Sequence, residues 1–512
     1  MVSDPVGSAV DRDSHPAPER IVLRVLRSSW FWPMIVMGGM GLWRIRLPEM
    51  WQDELVTIDV TARSTRQILA LLRHVDAVHG TYYLLMHGWV RVFGDSPLAM
   101  RAPSVMAMAG AAACVALLGQ RLFGRSAGIA GGLVFAMIPA VTRFAQEARS
   151  YACVVLFVAL ATLVLLVALE RSSVWAWAGY AACVTAIGCL NAVALSVVAG
   201  HLVAVLLHDR RGRTGRTLLT FGLAVACGAV PTLPVLYLGN HQAVQQIHWI
   251  NGQSHSVLVV WPRTFASAWV AWAVTALVVL AVIGHRRRTV FPVAAALVPV
   301  LVVWLASLGN LNYFFSKYLL FVVPLWAVLA GAGLTAWRWR TGLLRVAVPA
   351  AGVGVLAVLA VPGQIAMRGA LSHSYLTYPD PRDSVPLAYR EAATIIARNY
   401  QPGDAIGYPQ LPGVWWFMHD KGINYYLPKN VKLHTVFLDK SAAENNELYG
   451  TECAVPARCF GNERRIWVVL PYKRQLAFGD FADPERALLA TNYEQVYVTY
   501  PSGMTVALIQ HK

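Results

Sequence analysis

Long apolar runs separated by short polar segments fill the chain up to residue 362. A helix of roughly 20 apolar residues is long enough to cross a bilayer. The runs predict about eleven membrane spans, at residues 29–46, 99–119, 127–144, 150–169, 174–190, 192–208, 217–238, 259–282, 289–308, 317–336 and 342–362. We therefore expect an α-helical polytopic membrane protein.

The large loop between the first two spans, residues 47–98, contains two shorter apolar segments. Thr81–Phe93 is too short for a span and includes a histidine and an arginine. Ser64–His74 is amphipathic and has aliphatic residues on one side, namely Ile68, Leu69, Leu71 and Leu72. Because counting Thr81–Phe93 as a span would invert every later loop, we expect both segments to be interfacial helices along the outer leaflet.

Composition and charge agree with this reading. Of the 512 residues, 57% are hydrophobic and only 14% are charged. The net charge of +16 comes from short basic clusters between apolar runs, which indicates membrane orientation rather than nucleic-acid binding. A cytoplasmic N-terminus places these clusters inside, whereas the outer loop 239–258 has no lysine or arginine. Residues 1–28 are then a cytoplasmic tail, and residues 29–362 form the transmembrane domain of a cell-membrane protein.

The composition changes at about residue 372. The pattern that follows predicts one amphipathic helix and three strands, at residues 383–399, 465–470, 495–498 and 506–509. Residues 372–512 are thus predicted to be an extracytoplasmic α/β domain. Cys453 and Cys459 lie in this domain, and an oxidising compartment favours a small disulfide loop between them.

Polar residues that could carry chemistry gather at three outer helix mouths. They are Asp53, Glu54, Asp76 and His79; Gln146, Glu147, Arg149 and Tyr151; and Asn310, Asn312, Tyr313, Lys317 and Tyr318. Ionisable residues at membrane depth are costly unless they face water, a cation or a reacting group. A carboxylate can take a proton from an acceptor hydroxyl, and a cation can hold a phosphate leaving group. The clusters therefore suit transfer of a group from a lipid phosphate.

Each of these residues also has a simpler interpretation. Asp53 and Glu54 could be helix caps or solvated loop residues, and Glu147 could pair with a neighbouring group near its helix mouth. A loop histidine such as His79 is more often a surface residue than a catalytic one. Lys317 could extend its ammonium to the membrane interface without binding a ligand.

Four segments together resemble the polytopic GT-C glycosyltransferases, and most closely the family 39-like group. That group includes protein O-mannosyltransferases, aminoarabinose transferases and many actinobacterial cell-envelope transferases. The segments are WQDE, HGTYYLLMHGWVRVFGDSPLAMRAPS, RLFGRSAGIAGGLVFAMIPAVTRFAQEARSYA and KYLLFVVP. The resemblance covers residues 30–335 and extends to the C-terminal domain only in outline.

The resemblance implies inverting transfer of a sugar, with mannose the first candidate, from a polyprenyl-phosphate donor to a hydroxyl on the outer face. The first-loop acidic motif of the family maps onto Asp53, as general base, and Glu54. The remaining motifs, which imply contacts with the donor phosphate or sugar, map onto Glu147, Arg149, Tyr151, Lys317 and Tyr318. A frequent His-Pro-Pro in the first loop is here His79-Gly80-Thr81, so a shared role for His79 stays open. A divalent metal also stays open, because metal dependence varies in the family and no metal motif is present.

Two other functions compete with the transferase. A transporter or flippase of a lipid-linked sugar typically has ionisable residues in the middle of its spans and two related halves. Here the charged residues lie at the outer ends of the predicted spans, and the two halves do not look alike. A non-catalytic scaffold would leave the acidic pair idle. The sugar, the acceptor (glycan, lipid or protein), the lipid length and the oligomeric state stay open. Aromatic density suggests sugar stacking in the C-terminal domain by Trp415, Trp416, Tyr425 and Tyr426.

Overall fold

The structure is a computed structural model that describes residues 25–26, 28–171, 173–208, 214–337, 342–375, 386–409, 418–461 and 463–512. Two of the stacking candidates, Trp415 and Trp416, lie outside the described residues. So do most residues of the predicted N-terminal tail and the first residues of the predicted helix 383–399.

Helices account for most of the described chain up to residue 375. In chain order they are α1 Phe31–Leu42, α2 Gln52–Ala62, α3 Thr65–Leu71, α4 Gly80–Phe93, α5 Pro97–Phe123, α6 Arg125–Met137, α7 Pro139–Ala145, α8 Tyr151–Arg171, α9 Val174–Leu190, α10 Val197–His208, α11 Thr214–Ala229, α12 Leu233–Ile247, α13 Val257–Phe265, α14 Ala268–Ala306, α15 Val323–Leu334, α16 Gly342–Ala366 and α17 Ser372–Tyr375. Short 3₁₀ segments connect several of them, including Ala77–His79 and Ser316–Val322.

The apolar helices confirm a multi-pass membrane protein. Within the described residues, six helices are long and apolar enough to cross a membrane, and the pair α6–α7 makes a seventh if it is one bent span. Helix α14 contains a non-helical residue at Arg286 (φ 6°, ψ −72°), so it consists of two helices joined by a sharp turn. The predicted runs 29–46, 174–190 and 192–208 lie instead on shorter apolar helices outside this set, Phe31–Leu42, Val174–Leu190 and Ala192–Leu207. The orientation of the chain stays a prediction.

Two predicted spans are interrupted inside their apolar runs. The predicted span 127–144 bends by 67° between α6 and α7, where Pro139 stands at the first position of α7 and cannot donate a helical hydrogen bond. The predicted span 259–282 is divided at Ala266, which has a left-handed φ of 53°. A new helix starts after Ser267, whose hydroxyl accepts a hydrogen bond from the Val270 amide (3.4 Å).

Glycines bring the backbones of three buried helices close together. A Cβ atom on Gly128 of α6 would lie 2.3 Å from the Ala116 carbonyl oxygen of α5. A Cβ atom on Gly331 of α15 would lie 2.4 Å from the Ala127 carbonyl oxygen of α6. Close approach of this kind is how helices gain packing energy inside a membrane.

The outer loop forms the two predicted short helices. Ser64 caps α3 and forms a capping box with Gln67, which satisfies two backbone donors at the helix start. Ile68 and Leu71 are buried on one face of α3, but Leu69 is 48% exposed. The side of α3 predicted to be aliphatic is thus buried only in part.

The C-terminal domain is built around a five-stranded sheet. Its elements are helices α18 Tyr389–Asn399, α19 His419–Tyr426 and α20 Asp483–Asn492, and strands β1 Ala405–Gly407, β2 His434–Thr435, β3 Leu438–Lys440, β4 Thr451–Glu452, β5 Arg465–Pro471, β6 Tyr493–Thr499 and β7 Met504–His511. The strand order is β2-β1-β5-β7-β6, and β3 pairs with β4 in a separate ribbon. Strand β1 runs parallel to β2 and β5, whereas β5, β7 and β6 are antiparallel.

The C-terminal domain is fastened to the outer loop beside the acidic pair. The Met50 amide donates to the Tyr426 hydroxyl (2.8 Å), and the Tyr425 hydroxyl donates to the Asp95 carbonyl (3.0 Å). Arg63, directly after α2, donates to the Glu447 carbonyl (2.8 Å). The Met50 contact lies just before the start of α2, the Arg63 contact lies at its end, and the two tyrosines have a docking role. Farther from this contact, Cys453 and Cys459 form a disulfide.

Candidate active site

Asp53 lies between two cations in the first turn of α2. Its Oδ2 atom is 3.4 Å from Lys317 Nζ and 3.7 Å from Arg149 Nε. The fold therefore brings together one residue from each of the three outer clusters predicted from sequence. Carboxylates are also stabilised in the first turn of a helix, where backbone amides point outward. With 21% of its side chain exposed, Asp53 is the accessible member of the acidic pair.

The cations determine the charge state of Asp53. Burial opposes ionisation of the carboxyl group, but attraction to Lys317 and then to Arg149 outweighs it, so the pKa of Asp53 lies below its usual value. Asp53 is accordingly a carboxylate at neutral pH. A carboxylate within reach of an acceptor hydroxyl is the form that a general base requires.

Glu54 points away from Asp53 into a closed salt bridge. Both of its oxygens accept hydrogen bonds from Arg101 (2.9 and 2.6 Å), and Oε1 also accepts from the Ala148 amide (2.9 Å). Both side chains are fully buried. Burial opposes the charge of Glu54, but Arg101 and His373 together hold its pKa far below the usual range. These contacts are those of a residue that positions Asp53, and a catalytic role for Glu54 stays untested.

Arg101 also organises the chain before α2. Its Nη atoms donate to the carbonyl oxygens of Ile45 (2.7 Å), Pro48 (2.9 Å) and Glu49 (3.2 Å). One guanidinium thus ties α5 to the loop that leads into Asp53. Sequence analysis did not single out Arg101, although an arginine inside an apolar run is a functional signal.

Glu147 pairs with a second arginine that sequence analysis missed. Its Oε2 atom accepts a hydrogen bond from Arg143, one turn earlier on α7. Its other oxygen, Oε1, is buried with no hydrogen-bond partner among the described residues. Burial raises the pKa of Glu147 despite the attraction of Arg143. The Arg143 guanidinium also lies 5.4 Å from the centre of the Trp51 ring, directly before α2.

Arg149 is held by a hydroxyl and an imidazole as well as by Asp53. It donates to Tyr83 Oη (3.0 Å) and to His79 Nε2 (3.2 Å). Because a guanidinium can only donate, Nε2 of His79 accepts and its proton is on Nδ1. Burial and then Arg149 depress the pKa of His79, so the ring is neutral. Its Nδ1–H is buried without a hydrogen-bond partner in the described part of the chain.

Lys317 is surrounded by aromatic rings as well as by Asp53. Its Nζ atom lies 5.7 to 6.0 Å from the ring centres of Trp51, Tyr151, Trp249, Phe315 and Tyr318. Aromatic faces attract a cation, so the rings keep the ammonium beside Asp53. Two predicted donor-binding residues, Tyr151 and Tyr318, contribute to this arrangement. Asn312 instead holds a loop, since its amide donates to the Ile250 carbonyl (3.1 Å).

A cavity of about 520 Å³ opens beside the two cations. His79, Tyr151 and Tyr318 line its polar end, and most of the remaining wall is aliphatic, with Leu236, Ala243, Ile247, Val302, Val303 and Ala306 among its residues. Helix α12 forms one side of it. A polar head can thus sit near Lys317 and Arg149 while an apolar chain occupies the cavity.

The site offers no evident cluster of metal ligands in the described ranges. Within them, no group of three or more His, Cys, Asp and Glu side chains is placed to hold a metal ion. The positive charges that the structure does show near Asp53 come from Lys317 and Arg149.

Comparison with protein families gives one partial match. A family model described as dolichyl-phosphate-mannose-protein mannosyltransferase matches residues 81–238, which is less than half of the chain. This segment includes nearly all of α4, the Arg143–Arg149 region and only the start of α12. No curated protein matches the chain.

Solved structures resemble the chain over nearly its full length. ArnT from Cupriavidus metallidurans bound to undecaprenyl phosphate has a TM-score of 0.60 at 13% identity, and the match covers 96% of this chain and 98% of ArnT. The apo form of ArnT has a TM-score of 0.57 at 12% identity, with the same coverage. The apo oligosaccharyltransferase of Archaeoglobus fulgidus gives 0.48 at 11% identity, covering 93% of this chain and 74% of its own.

Likeness at this level of identity concerns the fold alone. The match to ArnT runs through both the helical part and the strand-containing C-terminal part of the chain. The fold class predicted from sequence, a GT-C-type helical membrane domain followed by an α/β domain, is therefore confirmed.

Proposed function

We propose that this protein is an inverting glycosyltransferase that moves a sugar from a polyprenyl-phosphate donor to an acceptor hydroxyl on the outer face of the membrane. Mannose is the first sugar to test. The observation that carries the proposal is the placement of Asp53, an accessible carboxylate held by Lys317 and Arg149. These two cations contact His79, Tyr151 and Tyr318, which line a largely apolar cavity. The same place thus offers a base, two phosphate-binding cations and room for a lipid.

The proposed reaction is a single displacement at the anomeric carbon. Asp53 takes the proton of the acceptor hydroxyl as its oxygen bonds to that carbon. The bond from the same carbon to the phosphate oxygen breaks, and polyprenyl phosphate leaves with the bonding electrons. Lys317 and Arg149 stabilise the charge that develops on the leaving group. His79 offers an additional donor, its unpartnered Nδ1–H.

Binding of the donor should change the pKa of Asp53, which is depressed in the free protein. Without donor, the carboxylate is the anion that the two cations attract. An incoming phosphate competes for the same cations and weakens their hold on Asp53. The pKa of Asp53 then rises toward a value at which a carboxylate accepts a proton more readily.

The comparisons support a lipid-linked donor. The relative with the same fold was solved bound to undecaprenyl phosphate, and the matching family model is described by dolichyl-phosphate-mannose and by transfer to protein. The acceptor approaches from the side of the C-terminal domain, which is fastened to the loop before Asp53. The acceptor that carries the hydroxyl, whether a glycan, a lipid or a protein, stays open.

The test is transfer of labelled sugar by purified protein in nanodiscs, with polyprenyl-phosphate-mannose and a crude cell-envelope acceptor fraction. Asp53→Asn should abolish transfer but leave donor binding, because Lys317 and Arg149 remain. The matched control is Asp59→Asn, since Asp59 lies on the same helix but pairs with Arg63; it should retain transfer.

Other outcomes separate the alternatives. Equal transfer by Asp53→Asn and wild type would rule out Asp53 as the base. Donor binding without transfer in wild type would direct the search to other acceptors. Movement of the donor across a sealed vesicle membrane, with no transfer, would favour a flippase.

A further inference from the structure

A chain of hydrogen bonds connects the cavity wall to Arg149, which forms an ion pair with Asp53 (3.7 Å). Gln246 on α12 lines the cavity and donates through Nε2 to Asp76 Oδ1 (3.2 Å). Tyr83 on α4 donates to the other oxygen, Asp76 Oδ2 (2.6 Å). Tyr83 Oη in turn accepts from Arg149 (3.0 Å), which lies beside Asp53.

Each residue in this hydrogen-bond chain restricts the orientation of the next side chain. Asp76 has both oxygens engaged, and it sits in the left-handed region with φ 59°, a conformation that a non-glycine residue keeps only when its surroundings enforce it. Tyr83 is fully buried, and its single hydroxyl proton goes to Asp76. Its lone pairs are thereby available to Arg149, so the direction of the chain is fixed.

The cavity wall is also tied to the same loop by a second amide. Gln242, one turn before Gln246, accepts from the Ala77 amide (2.9 Å) and donates to the Leu72 carbonyl (3.0 Å). Helix α12 therefore grips the loop on both sides of Asp76, and a shift of α12 moves Asp76 with it. Gln242 touches only backbone atoms, whereas Gln246 touches the Asp76 carboxylate.

We propose that Gln246, Asp76 and Tyr83 form a positioning relay that orients Arg149 toward Asp53 and couples this orientation to filling of the cavity. None of the three touches Asp53, so each acts through Arg149. An apolar chain in the cavity would fix the position of α12. Helix α12 would then fix the orientation of the Arg149 side chain before the sugar is transferred. The relay rests on the proposed function, but its geometry can be tested without a substrate.

The substrate-free test is a double-mutant cycle on thermal unfolding of the full-length protein in detergent. Tyr83→Phe and Asp53→Asn remove contacts at opposite sides of Arg149. We expect their shifts in melting temperature to be non-additive, as for groups in one network. Asp53→Asn combined with Gln245→Glu should be additive, because Gln245 is exposed on α12. Additive shifts for the first pair would overturn the relay.

The second test is the pH dependence of sugar transfer. The cations and the imidazole that face Asp53 are Lys317, Arg149 and His79. The other titratable groups around it are Asp76, Glu147, Tyr151, Tyr318 and Tyr449. Loss of the Arg149 orientation weakens one attraction, so the pKa of Asp53 rises and the acid limb of kcat/KM moves to higher pH by roughly one unit. Tyr83→Phe and Gln246→Glu should both show this shift, whereas Gln245→Glu should not.

A lower rate with an unmoved acid limb in Tyr83→Phe would overturn the relay, because it would mean that Tyr83 has only a structural role. The two tests also separate the relay from the proposed function. If wild-type protein neither binds the polyprenyl-phosphate donor nor transfers sugar, the proposed function fails, and the double-mutant cycle still decides whether the relay exists.

Discussion

At the scale of single residues, the acidic pair divides two tasks between adjacent positions. Asp53 remains accessible between two cations, while Glu54 is fully buried against Arg101. Successive residues on a helix point about 100° apart, so Asp53 points toward Lys317 and Arg149 while Glu54 points into the protein interior. The motif is thus one catalytic candidate next to one structural anchor.

The buried ion pair between Glu54 and Arg101 predicts a large loss of stability when either residue is replaced. Removing one partner of a buried ion pair strands the other charge and costs about 3–5 kcal/mol. Arg101→Met should therefore lower the melting temperature strongly in detergent, and Arg101→Met combined with Glu54→Leu should recover part of the loss. The matched control is Arg121→Met on the same helix, whose pair with Glu170 is exposed; exposed pairs contribute roughly 0–1 kcal/mol. Equal losses for Arg101→Met and Arg121→Met would contradict the anchor.

Asp53 predicts two different pH profiles. A base works in its ionised form, so transfer falls as the pH drops below its pKa. In the free enzyme Lys317 and Arg149 depress that pKa, and the acid limb of kcat/KM reports this state. In the donor complex the phosphate shares the cations, so the acid limb of kcat should lie at higher pH. Steady-state rates measured across acidic pH give both limbs. An acid limb of kcat at lower pH than that of kcat/KM would contradict competition between the donor phosphate and Asp53 for the two cations.

At the scale of elements, the helices that hold the site depend on close backbone contact. Gly331 on α15 has no space for a Cβ, with the Ala127 oxygen and the Gly131 nitrogen both 2.4 Å from that position. Helix α6, which carries Ala127 and Gly131, leads directly through α7 to Arg143. Misplacing α6 would therefore also move Arg143 and Glu147.

Gly331→Ala should accordingly destabilise the protein, by about 1–3 kcal/mol if the helices separate as in other overpacked cores. Gly354→Ala is the matched control, because nothing lies within 4 Å of a Cβ on that exposed glycine of α16. The control should be neutral or slightly stabilising, as alanine favours helix over glycine. Thermal unfolding in the same detergent compares the two variants. An unchanged melting temperature for Gly331→Ala would show that α6 and α15 can move apart without loss of stability.

The same scale shows what sequence patterns could and could not predict. Apolar runs locate the spans because membrane helices must be apolar over a fixed length. The breaks at Pro139 and Ala266 change no polarity, so the runs hide them. Strands β1 and β2 have three and two residues, too few for an alternating pattern. In the site, the outer polar clusters were predicted, whereas Tyr83 resembles any tyrosine on an amphipathic helix and becomes a candidate only through its contacts.

At the scale of the whole molecule, the site lies where three parts of the chain meet. The outer loop supplies Asp53, the membrane helices supply the cations and the cavity, and the C-terminal domain holds the loop in place through Tyr426. In the proposed reaction, the donor enters from the membrane through the cavity and the acceptor enters from outside. This arrangement keeps the two substrates apart until they meet at Asp53.

This separation predicts that the cavity recognises the lipid chain of the donor and not its sugar. Ala243 is buried on α12 and lines the cavity, so Ala243→Phe should fill part of its 520 Å³. KM should rise about tenfold or more for a long-chain polyprenyl-phosphate donor, since each buried methylene contributes about 0.8 kcal/mol. A short-chain donor carrying the same sugar should be affected much less. Its neighbour Val244 is 60% exposed on the same helix, which makes Val244→Phe the matched control. If Ala243→Phe weakened both donors equally, the cavity would not be the lipid site, and the chain would have to bind along the outer surface of the helices.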